Sequence, residues 1–328
     1  ELKDKICLLR LDFNTEDNWR MDASLRTIRF LTARCRSVVI LSHKGRPKGF
    51  DASLSLKPIS GILSRKIQKK VVFIPHFRFQ EIGELVRSSP EGSVFLLENL
   101  RVLDGESVNN PVLAEHLSGL GDIYINDAFA VSHRANASVA AITSHLPSYA
   151  GLELEEEIIQ LTQVIKNPKK PLVVILGGLK IEDKLRIFDN LKSRTSAFLI
   201  GGALTDDVIG EFNNRKLIPP VDLKKDGNAI RDIGPGTVKK FCGIIKGAKT
   251  VIWNGPLGDI GDRRFRGGTE AIARCITRKK NAIVGGGETV MFLKKMKLDK
   301  KVRFISTGGG AMLDFLAGEK LPGIESLK

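Results

Sequence analysis

The feature that most constrains the fold is a series of short apolar runs that do not alternate with polar residues. They are Ile6–Leu11, Val38–Leu41, Val71–Ile74, Val94–Leu97, Ile123–Ile125, Leu172–Leu176, Ala197–Ile200, Thr250–Trp253, Ala282–Val284 and Val302–Ile305. Strict alternation would mark strands with one wet face. Continuous Val, Ile and Leu runs of this length mark strands covered on both faces, as in a parallel sheet. Helix-like stretches such as Pro58–Lys69 and Gly268–Arg278 lie between them. Strand alternating with helix predicts an α/β fold with mostly parallel sheets.

The segment Leu152–Lys166 stands apart. It reads LELEEEIIQLTQVIK, with Asn167-Pro168 and Pro171 just beyond it. Its early glutamates suit the positive N-terminal end of a helix. Strand runs lie on both sides, so it is read as the helix joining two α/β domains. The chain has 328 residues, 42% of them hydrophobic, which is enough for two cores. No solenoid-period repeat or low-complexity segment interrupts it.

The formal net charge is +15. That favours anionic partners: nucleic acid, an acidic membrane or phosphorylated metabolites. Only 6% of residues are aromatic, and no extended patch interleaves several aromatics with basic groups, which disfavours a base-stacking nucleic-acid binder. The basic runs Arg263-Arg264 and Lys300-Lys301 carry no motif and read as solvated surface. Cys7, Cys35, Cys242 and Cys275 are scattered, with no Cys-x-x-Cys and no His at ligand spacing. They read as reduced, buried thiols. No apolar run approaches the roughly 20 residues of a membrane span. A soluble, cytoplasmic protein is expected.

In open parallel sheets, ligands bind at the carboxyl ends of the strands. The first-half strand ends carry Asp12-Phe13-Asn14, then Ser42-His43-Lys44-Gly45-Arg46-Pro47, then Glu98-Asn99-Leu100-Arg101, then Asn126-Asp127-Ala128-Phe129 followed by Ser132-His133-Arg134. Arginine forks bind phosphate or carboxylate in a bidentate way, so this half predicts a pocket for a small anion. The second-half ends carry Gly177-Gly178-Leu179-Lys180, Gly201-Gly202, Asn254-Gly255-Pro256-Leu257-Gly258, Gly285-Gly286-Gly287-Glu288-Thr289 and Thr307-Gly308-Gly309-Gly310. Glycines let backbone N–H groups approach a phosphate, and a helix start adds positive potential. Five such loops exceed what tight turns require and predict a nucleotide cradle. Neither a P-loop nor a convincing Gly-x-Gly-x-x-Gly fingerprint is present, which argues against P-loop kinases and dehydrogenases. Singly, each residue has a duller reading. Asp12 or Asn14 could cap a turn, His43 could be a satisfied core histidine, and Lys180 with Lys184 could form one solvated helix face.

Ten stretches carry a resemblance: LRLDFN, LSHKGRPKG, SLKP, LLENLR, INDAF with SHRANAS, VILGGLKIEDK, LIGGA, VIWNGPLG, VGGGET and ISTGGGAMLDFLAGEKLPG. In number, order and spacing the chain resembles phosphoglycerate kinases over essentially its whole length. The resemblance implies two Rossmann-like three-layer domains facing across a cleft that closes by hinge bending. It implies residues 1–151 as a triose-binding domain, 152–170 as helix and linker, 171–308 as a nucleotide domain, and 309–328 returning to the first domain. It implies reversible phosphoryl transfer between 1,3-bisphosphoglycerate and ADP with Mg²⁺, by a monomer with no nucleic acid as primary partner and no membrane partner. By family pattern, Asp12, Asn14, Arg26, His43, Arg46, Arg101 and Arg134 hold the triose. Gly178, Lys180, Lys184, Gly201, Gly202, Asn254, Pro256, Gly258, Gly286, Gly287, Glu288 and Thr289 belong to the nucleotide site, and Glu288 takes the place of a metal-associated Asp. The attacking carboxylate is ionised at neutral pH, so no general base is needed. Arg26 and Lys180 are expected to neutralise the moving group.

Several positions depart from that pattern. Gly261, with Asp259 and Asp262 near it, replaces a ribose-binding glutamate, and Asp206 and Asp207 replace apolar bulk. The stretch between Gly202 and Ile233 is much shorter than the family norm, which predicts a reduced wall around the nucleotide base. These changes motivate an alternative, a triose-binding pseudo-enzyme with weak nucleotide use. The intact set of first-half residues and Lys180 speak against it.

Overall fold

The computed structural model describes residues 2–15, 17–178, 181–201 and 214–327, apart from the side chains of residues 181, 182 and 184. The chain forms two compact units, Glu1–Glu157 with Lys320–Lys328, and Ile158–Glu319.

The first unit is built on β1 (Ile6–Arg10), β2 (Ser37–Leu41), β3 (Val71–Ile74), β4 (Ser93–Leu97), β5 (Ile123–Asn126) and β6 (Ser148–Ala150). They form one parallel sheet in the order β3-β4-β2-β1-β5-β6. Successive side chains point to opposite faces, so the sheet feeds two cores. Leu8, Val39, Phe95 and Tyr124 enter one; Cys7, Leu9, Val38 and Ile40 enter the other. Helices α1 (Trp19–Thr32) and α2 (Lys57–Ile67) cover the second core through Ile28, Leu31 and Leu63. Helices α3 (Phe79–Ser88) and α4 (Pro111–Ser118) cover the first through Ile82, Val86, Leu113 and Leu117. Two buried faces explain why the strands read as continuous apolar runs.

Helix α5 (Leu152–Lys166) coincides with the stretch identified by its acidic start. Asp127 Oδ1 accepts the Glu153 and Leu154 N–H groups and so satisfies the first turn. The second unit contains β7 (Leu172–Leu176), α6 (Ile181–Leu191), β8 (Ala197–Ile200), β9 (Leu217–Ile218), β10 (Leu223–Asp226), β11 (Ala229–Ile233), α7 (Pro235–Gly247), β12 (Thr250–Asn254), α8 (Gly267–Ile276), β13 (Ala282–Gly285), α9 (Gly287–Lys295), β14 (Phe304–Ile305) and α10 (Gly310–Leu316). Its parallel sheet runs β14-β13-β12-β7-β8-β9. Phe241, Ile245, Ile272 and Leu293 of α7, α8 and α9 pack against Val173, Val251 and Trp253. Phe188 of α6 meets Phe198 of β8, ring centroids 5.0 Å apart.

Three features differ from the sequence reading. The segment packed on the first unit begins at Lys320, because α10 lies against α6 of the second unit, with Asn190 Nδ2 donating to the Leu316 carbonyl. Within that segment α11 (Pro322–Glu325) is held by Gly323, whose N–H donates to Ser132 O and whose carbonyl accepts Asn126 Nδ2. In the shortened stretch, β10 and β11 form an antiparallel hairpin. Cys242 and Cys275 are not reduced thiols but a disulfide, with Cα atoms 5.8 Å apart. Adjacent packing of α7 on α8 joins two cysteines that are 33 residues apart in sequence. Cys7 and Cys35 are free and buried.

Candidate functional site

The carboxyl ends of β1, β2 and β4 are tied together before any ligand is considered. Ser42 Oγ donates to the Leu11 carbonyl at 2.9 Å and accepts the Phe13 N–H at 3.1 Å. Asn14 Oδ1 accepts the Gly45 N–H at 2.8 Å, and the Asn14 N–H donates to Asp12 Oδ1 at 2.8 Å. Asn99 Oδ1 accepts the N–H groups of Lys44 and Arg101, and its Nδ2 donates to the Lys44 and Leu54 carbonyls. Asp12, Asn14, His43, Arg46 and Arg101 therefore rise from loops with a fixed mutual register.

Beneath them lies a residue that sequence reasoning missed. Arg10 is fully buried at the end of β1. Its Nε donates to Ser138 Oγ at 2.8 Å. Its guanidinium lies 3.8 Å from the Glu106 carboxylate and 3.4 Å from His43 Nδ1. Ser138 in turn donates its N–H and hydroxyl to Glu106, and the Tyr124 hydroxyl donates to the Ser138 carbonyl. One buried ion pair thus joins β1, His43, the loop after Arg101 and the loop after Arg134. The signal was present in the sequence: a charge inside an apolar run has to find a partner.

The electrostatics follow from that burial. Burial pushes the His43 ring down to about 3, helped by the Arg10, Arg101 and Arg134 charges and opposed by Asp12. His43 is therefore neutral at pH 7. Burial works to raise the Asp12 carboxyl, but His43, Arg20, the Asn14 N–H and Arg10 outweigh it and hold it below its ordinary value. Burial and neighbouring arginine charges, Arg46 among them, lower both Arg101 and Arg134. Arg101 Nε is buried with no hydrogen-bond partner among the described residues. Several guanidinium groups that repel one another, one with an idle donor, make a place for an anion. Arg20, also unforeseen, adds a further cation 2.8 Å from Asp12.

Arg26 stands apart from this group. Its side chain is 66% exposed and 3.8 Å from Glu156, near the start of α5. Burial raises Asp127 there to about 6. Burial, then Asp127 and Glu156, raises Glu153 to about 7.

In the second unit, Gly178, Asn254, Pro256, Gly286, Gly287, Glu288 and Thr289 line one cleft of about 220 Å³, together with Gly177, Gly255, Gly309, Gly310 and Leu313. The glycines have two distinct uses. A Cβ on Gly177 would lie 2.1 Å from the Pro256 carbonyl, so the loops after β7 and β12 meet backbone to backbone. A Cβ on Gly287 would meet nothing within 4 Å, so its absence leaves the cleft open at the start of α9. Gly201 and Gly258 lie outside the lining: they clear space for Leu257 and Asp232. Lys180 and Gly202 lie outside the described residues, as does the Lys184 side chain. Glu288 is exposed, and Thr289 Oγ1 beside it is buried with no hydrogen-bond partner among the described residues. No group of three or more metal-ligating side chains exists among the described residues. One carboxylate with an idle hydroxyl suits an ion that arrives with phosphates and keeps its waters, as Mg²⁺ does.

Comparisons with known proteins bear on both units. The family model described as phosphoglycerate kinase matches residues 1–209 and 205–319. A phosphoglycerate kinase of Pseudothermotoga lettingae is 37% identical over 383 aligned positions, which cover all of this chain and 96% of that protein. One from Thermosipho africanus is 36% identical over 385 positions, covering 100% and 96%. The solved phosphoglycerate kinase of Coxiella burnetii superposes with a TM-score of 0.84 at 30% identity, covering 99% of this chain and 96% of that one. That of Pyrococcus horikoshii gives 0.89 at 26% identity with the same coverage. The first alignment is 55 positions longer than this 328-residue chain, and the two matched pieces meet at 205–209, inside the stretch read as shortened.

Proposed function

Because the chain belongs to the phosphoglycerate kinase family, we propose that it transfers a phosphoryl group reversibly between ATP and the carboxylate of 3-phosphoglycerate, as a step of glycolysis and gluconeogenesis. The observation that carries the reading is the guanidinium cluster at the strand ends of the first unit. Arg46, Arg101 and Arg134 would neutralise the triose phosphate, and the idle Arg101 Nε would gain its missing acceptor. Asp12 and Asn14 would orient the substrate by hydrogen bonds. His43, neutral at pH 7, would serve as a hydrogen-bonding group and not as a cation or a general acid. The acceptor carboxylate is already ionised, so no base is needed. Catalysis reduces to alignment and charge neutralisation.

The nucleotide phosphates would lie over Gly178, Gly286 and Gly287, where the start of α9 supplies unpaired N–H groups. Glu288 and Thr289 would hold Mg²⁺ carried by the nucleotide, and the ion would supply charge neutralisation at the phosphate oxygens. Lys180 and Lys184 are assigned to the phosphates by family pattern alone, as are Gly201, Gly202 and Gly258 to the nucleotide. Arg26 and Lys180 would neutralise the group in transit, so the two substrate sites must come together for transfer.

Calorimetric titration with 3-phosphoglycerate tests the first half of this reading. Arg134→Ala should weaken binding by about tenfold or more, the worth of one charge-assisted contact. Unchanged affinity in Arg134→Ala would remove the triose assignment.

A further inference from the structure

Basic residues are shared unevenly between the two units. The first unit holds 22 Lys and Arg against 21 Asp and Glu, and the second holds 30 against 16. Nearly all the net charge thus belongs to the second unit, although the arginine-lined pocket lies in the first. Within the second unit it collects at one end of the sheet. The helix ends and connections leading into β7, β12, β13 and β14 (residues 166–171, 246–249, 277–281 and 294–303) contain 14 Lys and Arg, ten of them outside α5, α7 and α9, and a single acid, Asp299. Asp299 is already paired with Lys294.

These four strands are neighbours in the sheet, in the order β14-β13-β12-β7. Adjacent strands lie about 4.8 Å apart, so the connections form a continuous basic edge. The nucleotide cleft lies at the opposite ends of the same strands. Helix polarity alone does not account for the pattern. Basic residues do complement helix C-termini. The helices of the first unit also end on Arg29, Lys66 and Arg87, yet that unit is balanced. Lys169, Lys170 and Lys249 lie beyond the helix ends and are exposed, and Lys300 and Lys301, in a single 3₁₀ turn (Asp299–Lys301), are exposed too.

We propose that this edge of the second unit binds the phosphate backbone of duplex nucleic acid, without regard to sequence. Like charges held this close repel one another, and a polyanion relieves the repulsion. Three classes of anionic partner can be distinguished by what surrounds the charge. No Phe, Tyr or Trp occurs in the four connections, so they offer no platform for stacking single-stranded bases. None of the exposed large apolar side chains of the described residues lies in them, so nothing is placed to enter a lipid surface. A phosphate ladder needs neither feature.

The test is fluorescence anisotropy with labelled DNA and RNA duplexes of about 20 base pairs, titrated with the full chain as salt is raised. The wild type should bind both near 50 mM salt, and affinity should fall about a thousandfold by about 200 mM if roughly six phosphates are engaged. A Lys249→Glu, Lys280→Glu, Lys297→Glu, Lys301→Glu variant should bind at least about tenfold more weakly with a shallower salt slope. Its circular dichroism and 3-phosphoglycerate affinity should be unchanged, which separates this result from a failure of the kinase reading. Absence of a complex near 50 mM salt would overturn the proposal. So would equal binding by the variant, or retention on anionic vesicles without retention on duplex.

Discussion

Arg10 offers the most quantitative prediction. Replacing it with Met keeps an unbranched side chain but removes the cation 3.8 Å from Glu106 and the 2.8 Å bond to Ser138. Glu106 is fully buried, so its carboxylate would lose its nearest counter-charge and keep only the more distant Arg101. Breaking a buried pair on one side costs about 3–5 kcal/mol. Glu106 keeps two bonds from Ser138, which places Arg10→Met near the lower end, about 3 kcal/mol. Pairing it with Glu106→Met removes the stranded charge. The double variant should then recover about 1–3 kcal/mol relative to the sum of the single effects. Urea unfolding can be read through Trp19 in a Trp253→Phe background, because the first unit then holds the sole tryptophan. A loss below about 1 kcal/mol for Arg10→Met, or strict additivity in the cycle, would refute the claim that this pair organises the loops.

Other perturbations follow from the same geometry. Asp127 and Glu153 have folded values of about 6 and about 7, above the unfolded carboxylate range of roughly 4. The folded state therefore holds extra protons. The stability they add is full below about pH 4 and is lost as pH rises through 6 to 7. Urea midpoints of the first unit should thus fall between pH 5 and 8, and Glu153→Gln should flatten the decline; an unaltered profile contradicts the shift. Gly287→Val adds bulk where a Cβ meets nothing, so it should leave the melting temperature unchanged and weaken ATP binding by about tenfold or more. Lost folding or intact ATP binding would each contradict the cleft assignment.

Much of the architecture was legible because burial on both faces writes itself into the chain. Leu172–Leu176 reads as a strand for the same reason that Val173 and Val174 enter opposite layers. The strand ends were legible too, since parallel sheets place ligands at one edge whatever the ligand is. What stayed hidden depends on contacts distant in sequence. The Arg10–Glu106 pair spans nearly a hundred residues, and a run that reads ICLLRL conceals it. Arg20 is visible as a helix residue, but not as the partner of Asp12. The two-residue Gly227-Asn228 loop joins β10 to β11, yet Lys224 and Lys225 of β10 lack the apolar alternation that would announce a strand. The Cys242–Cys275 bridge needed knowledge of which helices pack side by side. Gly201 and Gly258 show the reverse case: glycines that match a family motif and, in this fold, make room for protein atoms.

The central claim is tested most directly by turnover of 3-phosphoglycerate with MgATP, followed through coupled reduction of the acyl phosphate, beside Lys180→Ala. The account predicts turnover in the wild type and a loss of about a hundredfold or more in the variant, the scale expected for removing one charge-stabilising group. No turnover with ATP, GTP or other nucleotides would contradict it and leave a protein that binds the triose anion without transferring phosphate.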